Sequence, residues 1–254
     1  MADRLQPLLE EAIALAESAG ALTLRYFGKS DLRVDGKPDG TEVTDADRGA
    51  ETLIREHIVE NHPDDAILGE EHGTVAGTSG RTWVVDPIDG TFGFVRGVPL
   101  YSTLIAVVDE TGPAVGVIHF PALAQTVGAA RGEGCFFDGV RCAVGGTDTV
   151  DGSLICSSDW RAASDHQLLS LKRAGAHMRT WGDAYGYAMV AAGNAEAMID
   201  PICSTWDLAP VPVIIHESGG TFSSLDGDPG FDRGHGVATN GAIHDELLGL
   251  IGLP

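Results

Sequence analysis

The sequence predicts an α/β protein built in two halves, an α+β half over residues 1–146 and an α/β half over 147–254. Three observations predict it. Two amphipathic helical patterns open the chain, and a run of apolar segments punctuated by turn residues follows them. Beyond a Gly/Thr/Asp-rich stretch around 143–152, helical and strand patterns alternate. A length of 254 residues suits one large domain or two small ones, with a sizeable core.

The first helix places Leu5, Leu8, Leu9, Ala12, Ile13 and Ala16 at helical spacing, with Glu10, Glu11 and Glu17 on the other face. After the loop VDGKPDGTEVTDAD, Thr44 or Asp45 caps a second helix carrying Ala50, Leu53, Ile54 and Ile58, which ends near Asn61-His62-Pro63. AILGE, TWVVDP, STLIAVVD, AVGVIHF and TVGAA read as strands of one antiparallel or mixed sheet packed on these helices. In the second half SLICSS, MRTW, AEAMID, TFSSL and GVATN read as strands. SDHQLLSLKR, AYGYAMVAA, WDLAPVPVIIHES and HDELLGLI read as helices. There is no internal repeat and no low-complexity tract.

Composition narrows the function classes. A hydrophobic fraction of 43% excludes a disordered chain. No run approaches the ~20 apolar residues of a membrane span. The N-terminal MADRLQPLLEEA lacks the basic and then apolar pattern of a signal peptide, so a cytoplasmic location is expected. Sixteen Lys+Arg against 37 Asp+Glu give a net charge of −21. The only lysines are Lys29, Lys37 and Lys172, and without a basic cluster both nucleic-acid and anionic-membrane partners are disfavoured. Such acidity suits cationic partners, whether metal ions or protonated substrates, and also an ordinary solvated surface. Cys135, Cys142, Cys156 and Cys203 show no CxxC spacing and read as ordinary reduced residues. The histidines lack HExxH spacing, and neither a GxSxG elbow nor a P-loop is present.

Four acidic clusters sit where elements begin or end: Glu70-Glu71 after AIL, Asp86 and Asp89 in WVVDPIDGT, Asp207 in TWDLAP, and Asp45-Ala46-Asp47. Asp207 or Asp45 before a helix also fits an N-cap, and Glu70-Glu71 fits a solvated pair. WVVDPIDGT is more specific. Pro87 fixes its own φ and holds Asp86 extended, so a sharp turn can aim Asp86, the Ile88 carbonyl and Asp89 at one point. Hard oxygen donors of this kind suit Mg²⁺ or Mn²⁺ and are poorly matched to Zn²⁺. Gly90-Thr91 can present backbone amides at a helix start, a ready anion site, and metals beside an anion site point to phosphate chemistry.

GEE, then WVVDPIDGT, then WDLAP together resemble the inositol monophosphatase family of metal-dependent phosphatases, nearly end to end, with VTDAD and ESGGTFSSLDG included. GDAYGYAMVAAGNAEAMIDP and FVRGVP look most like its histidinol-phosphatase branch. The resemblance implies a layered αβαβα sandwich, commonly a homodimer, sensitive to Li⁺. It implies Glu70, Asp86, the Ile88 carbonyl, Asp89 and Asp207 as ligands of two or three Mg²⁺, with Mn²⁺ a substitute. Thr91 with Asp47 would activate the attacking water, Gly90 and Thr91 would hold phosphate, and Asp200 falls where the family contacts the alcohol. One departure is Gly93, where the family often carries Asn in DGTxNF. It leaves the metal set untouched and bears on the local loop.

The expected activity is hydrolysis of a small phosphorylated alcohol, L-histidinol phosphate first. Inositol-1-phosphate or another small sugar or nucleotide phosphate is the enzymatic alternative, and a catalytically silent metal-binding regulatory protein is the non-enzymatic one. Histidinol phosphate carries a protonated amine, so its pocket needs carboxylates beyond those the metals use. Asp183 and Asp200 are the candidates, with Asp183 also placed to cap the AYGYAMVAA helix.

Overall fold

Side chains of a strand alternate between its two faces, and that alternation sets how the layers of this protein stack. The structure, a computed structural model, describes residues 5–37, 40–159 and 161–252. The chain opens with α1 (Gln6–Thr23), the small hairpin β1 (Val34–Gly36) and β2 (Glu42–Thr44), and α2 (Asp45–Asn61). Next come β3 (Ala66–Gly69), β4 (Gly73–Val75), β5 (Thr82–Asp89), the short helix α3 (Thr91–Phe94), β6 (Ser102–Asp109) and β7 (Gly112–Phe120). The 3-10 turn Pro121–Leu123 leads to β8 (Gln125–Ala130), β9 (Gly134–Phe137) and β10 (Val140–Arg141). The second half is β11 (Leu154–Cys156), α4 (Asp165–Arg173), β12 (His177–Arg179), α5 (Asp183–Ala191), β13 (Ala197–Asp200), α6 (Thr205–Leu208), α7 (Val211–Glu217), β14 (Thr221–Ser223), β15 (Gly236–Thr239) and α8 (His244–Ile251).

The first sheet has eight strands in the order β10-β9-β8-β7-β6-β5-β3-β4, and only its β3–β5 pair is parallel. The second has five in the order β12-β11-β13-β15-β14, with β11 parallel to both its neighbours. Odd-numbered Trp83, Val85, Ile105, Val107, Val115 and Val117 pack on Leu9, Ala12 and Ala16 of α1 and Ala50, Ile54 and Ile58 of α2. Even-numbered Leu104, Ile118 and Phe120 point the other way, onto Tyr187 and Ala188 of α5 and Val211, Ile214 and Ile215 of α7. Met198 of β13 and Ala238 of β15 reach the same core from the second sheet. The second sheet's outer face, Ala197, Ile199 and Val237, is covered by Leu171 of α4 and by Leu247 and Ile251 of α8. Helix, sheet, helix, sheet and helix layers alternate, as expected. Each fully buried Leu, Ile or Val contributes about 1.5–3 kcal/mol. The shared central layer therefore ties the two sheets together.

WDLAPVPVIIHES, expected as one helix, is two. α6 ends at Leu208 and α7 begins at Val211. Pro210 and Pro212 carry no amide hydrogen, so the helical ladder cannot run through the join. The hairpins β1–β2 and β9–β10 and the edge strand β4 were not expected, being too short for a periodic signal. Among the described residues, no helix is long and apolar enough to cross a membrane.

α7 crosses β7 at Gly116, where a Cβ would collide with the Pro210 carbonyl oxygen and lie 2.8 Å from Val213 Cγ1. Gly116→Ala is therefore expected to cost about 1–3 kcal/mol through overpacking. Gly249→Ala, in α8 with open space around it, is expected to gain about 0.5–1 kcal/mol from helix propensity. Urea unfolding of the two variants checks the opposite signs.

Candidate active site

β5 supplies two of the acids from one strand, which simple alternation would forbid. Asp86 lies on the face of Val84, toward the α6 side of the sheet. Asp89, three residues on, would turn the other way. A register shift against β6 between Asp86 and Asp89 reverses the alternation. The Ile88 side chain is then buried with Ala46, Phe94 and Tyr101, while Asp89 joins Asp86. Pro87 sits at the shift, its carbonyl accepting a hydrogen bond from Thr103 Oγ1 at 2.9 Å. α6 brings in Asp207 from the opposite wall. Carboxylate oxygens of Asp86, Asp89 and Asp207 lie within 4.8 Å of one another. With Glu70, Ile88, Gly90, Thr91 and Asp183 these acids line a cavity of about 420 Å³.

Each acid is fixed through one oxygen. Asp86 Oδ1 accepts from the Ile88 amide at 3.0 Å. Asp89 Oδ2 accepts from Ser102 Oγ at 3.0 Å and from the Ala184 amide at 2.7 Å. Asp207 Oδ2 accepts from the Ser204 amide at 2.7 Å. Asp47 Oδ2 accepts from the Thr44 amide at 2.8 Å and from Thr44 Oγ1 at 2.5 Å. Asp47 and Asp207 both close capping boxes, so each stabilises a helix start, and Asp207 also lines the cavity. The helix cap of α2 itself is Thr44. Thr91 Oγ1 lies 2.9 Å from the Ile88 carbonyl and 3.4 Å from Asp47 Oδ1, and its single proton serves one of them at a time. Gly93 sits inside α3 with φ outside the left-handed region, and its amide bonds the Gly90 carbonyl at 2.8 Å.

Asp183 and Asp200 are placed differently. Asp183 opens α5 with φ 50°, a left-handed conformation costly for a side chain of any size. Its carboxylate does not cap the helix, whose N-cap is Gly182. It overhangs Gly90 instead: a Cβ on Gly90 (φ 81°) would lie 2.8 Å from Asp183 Oδ2. Asp200 is 4% exposed and lies behind this wall. It accepts from Ser158 Oγ at 2.6 Å, and the same hydroxyl accepts the Asp183 amide at 2.7 Å.

Three further residues complete the site. Glu51 is fully buried on α2 and accepts from Arg55 Nε at 2.6 Å and from the Glu71 and His72 amides at 2.7 and 3.1 Å. It thereby sets the turn that projects Glu70. Lys37 Nζ lies 2.6 Å from Glu70 Oε1 and 2.6 Å from Glu71 Oε1. Ser158 is the link just described. The missed signal for Glu51 was a charge inside the apolar stripe of Ala50, Ile54 and Ile58. For Lys37 it was a rare lysine in a very acidic chain.

Burial, and then the charges of Glu70, Asp89 and Asp207, hold Asp86 well above the usual carboxylate range. Burial, followed by Asp183 and Asp207, does the same to Asp89. Asp207 is pushed up to about 7 by burial with Glu70 and Asp200 adding, and Asp47 to about 6, chiefly by burial. Burial alone would lower the Lys37 pKa, but its bonds to Glu70 and Glu71 reverse the direction. The donor set fits a hard divalent cation: the oxygens of three carboxylates crowd together, and the positive charge beside them, Lys37, is taken up by Glu70 and Glu71.

The model of the inositol monophosphatase family matches residues 4–251. The chain belongs to this family. It is a phosphatase, and its family is metal-dependent. The phosphatase is 42% identical over 246 residues to a Mycobacterium tuberculosis protein named histidinol-phosphatase, covering 93% of this chain and 95% of that one. It is 42% identical over 256 residues to a Streptomyces coelicolor protein of the same name, covering 96% of each. Its fold matches a Thermotoga maritima IMPase with a TM-score of 0.88 at 29% identity, covering 96% of each chain.

These acids bind protons more tightly folded than unfolded. Without a cation, the stability that these acids contribute therefore falls as pH rises from the unfolded carboxylate range near 4 through about 7. A divalent cation reverses the loss, by an increment that grows as the ligands deprotonate. Thermal unfolding at about pH 5 and about pH 7.5, with and without Mg²⁺, is expected to show the larger gain at the higher pH. A midpoint indifferent to Mg²⁺ at the higher pH removes the metal assignment.

Proposed function

We propose that this phosphatase hydrolyses L-histidinol phosphate to L-histidinol and phosphate, with Mg²⁺ as cofactor and Mn²⁺ as a substitute. The observation that carries the reading is Asp183, a carboxylate over Gly90 on the cavity wall, outside the Asp86–Asp89–Asp207 group. Its negative charge suits the protonated amine of that substrate. The similarity to proteins named histidinol-phosphatase supports the same substrate.

Glu70, Asp86, the Ile88 carbonyl, Asp89 and Asp207 are the residues that would hold the cation. When bound, it supplies charge neutralisation for the phosphate and acidification of a water molecule. The Gly90 and Thr91 amides open α3, where first-turn N–H groups lack intrahelical acceptors and can receive phosphate oxygens. Thr91 Oγ1 accepts the proton-bearing side of the attacking water and passes its own hydrogen toward Asp47 Oδ1. Asp47, at about 6, is ionised at neutral pH and able to take that hydrogen. The water oxygen attacks phosphorus, the bond to the alcohol oxygen breaks, and that oxygen takes a proton from solvent. Asp200 acts through Ser158, holding the Asp183 backbone in its strained conformation.

Phosphate release from histidinol phosphate and from inositol-1-phosphate tests the substrate. Preference for the former is expected, and equal kcat/KM for both sinks the specificity while sparing the phosphatase class. Asp183→Asn should lower kcat/KM for histidinol phosphate by about 10- to 100-fold and leave inositol-1-phosphate nearly unaffected. Thr91→Ala should lower kcat by ~10²–10⁴ with KM little changed. A rise in KM alone would make Thr91 a binding residue instead.

A further inference from the structure

We propose that Cys135 and Cys142 form a thiol–disulfide exchange site, which reacts with a low-molecular-weight disulfide and closes into an intramolecular disulfide. The β9–β10 hairpin pairs Phe137 with Val140 and Phe136 with Arg141. One step further along the ladder, Cys135 faces Cys142. The Cys142 amide donates to the Cys135 carbonyl at 3.0 Å, and the two sulfurs share a hydrogen bond at 3.4 Å. Residues directly opposite on paired strands have neighbouring Cβ atoms, and a disulfide needs Cβ atoms ~3.5–4.5 Å apart. Closing the bond to about 2.05 Å therefore requires side-chain rotation and a small approach of the strands.

The mount is firm. Glu217 of α7 accepts the Gly132 and Gly134 amides at 2.7 Å each, pinning the strand just before Cys135. The two thiols differ in access. Cys135 is fully buried, within the central core of Ala184 and Tyr187, whereas Cys142 is half-buried at the sheet edge. An external reagent meets Cys142 first. Its ionisation is eased by the bond to Cys135 and by Arg141, while Cys135 keeps its proton more firmly because of the same bond and its burial.

The chemistry balances in two exchanges. The Cys142 thiolate attacks one sulfur of the small disulfide, forming a mixed disulfide and expelling one small thiolate. Cys135, losing its proton to that thiolate, then attacks Cys142 Sγ and expels the second small thiolate, which takes up from solvent the proton that Cys142 had released. Two protein thiols are oxidised and one small disulfide is reduced to two thiols. The new bond links residues seven positions apart at the sheet edge and removes freedom from the unfolded chain.

The full chain, folded, is incubated with oxidised glutathione, denatured in iodoacetamide, and digested without reduction for mass spectrometry. The expected product is one cross-linked species joining the Cys135 and Cys142 peptides, lighter by two hydrogens than the reduced pair, with Cys156 and Cys203 alkylated. Dithiothreitol should reverse it. The oxidised chain should also unfold at a higher urea concentration than the reduced one, a difference that Cys142→Ser abolishes. Two results overturn the proposal: glutathione retained on Cys142 with Cys135 alkylated, or both cysteines alkylated where a free dithiol in the same buffer is oxidised.

Discussion

Carboxylates do not gather in a buried cavity unless something holds them there. Two like charges about 4 Å apart repel by about 4 kcal/mol at an effective dielectric near 20, and the oxygens of Asp86, Asp89 and Asp207 are crowded to within 4.8 Å. The protein meets that repulsion with local anchors. One oxygen of each acid is tied to a backbone amide: Ile88 for Asp86, Ala184 for Asp89, Ser204 for Asp207. A charge-assisted bond of this type contributes about 1.5–3 kcal/mol, too little to cancel three-way repulsion with burial added. The remainder appears as raised carboxylate pKa values, and a bound cation relieves it.

The anchors also explain the layering. Asp86 and Asp89 come from β5 in the first sheet, but the amide that fixes Asp89 belongs to α5 and the third acid to α6. Both helices lie in the central layer, whose core takes side chains from both sheets. The site therefore exists only when the two halves are packed. The break at Pro210 serves the same end: it frees α6 to present Asp207 while α7 lies flat on Gly116.

What could be read in advance depended on the range of the interaction. The strands of the first sheet were legible because buried apolar runs are a local signal, but the sharp turn expected between Asp86 and Asp89 is instead a register shift inside β5, which the pairing with β6 sets and Pro87 alone does not. Glu51 was not legible, since the amides it holds lie 20 and 21 residues away. The distinction between Asp183 and Asp200 was equally hidden. It rests on Ser158, which is 25 residues from one and 42 from the other. The clustering of Asp86, Asp89 and Asp207 followed from the motifs. The depth of each carboxylate was written only in the packing.

Asp183 then raises a question of balance. Its left-handed backbone costs about 1–3 kcal/mol for a non-glycine residue, and a glycine at 183 would adopt it freely. Its charge is also the foremost electrostatic influence, after burial, raising Asp89. On both counts the residue opposes the empty site. A group that opposes the empty site helps the filled one when its partner is cationic. An ammonium beside Asp183 neutralises the charge that disfavours ionised Asp89, and ionised Asp89 is the form a metal ion requires. On the proposed substrate, amine and metal would thereby assist each other's binding through one carboxylate. A neutral polyol would leave the Asp183 charge unanswered and forgo that coupling, so selection for a cationic alcohol would rest on this one carboxylate.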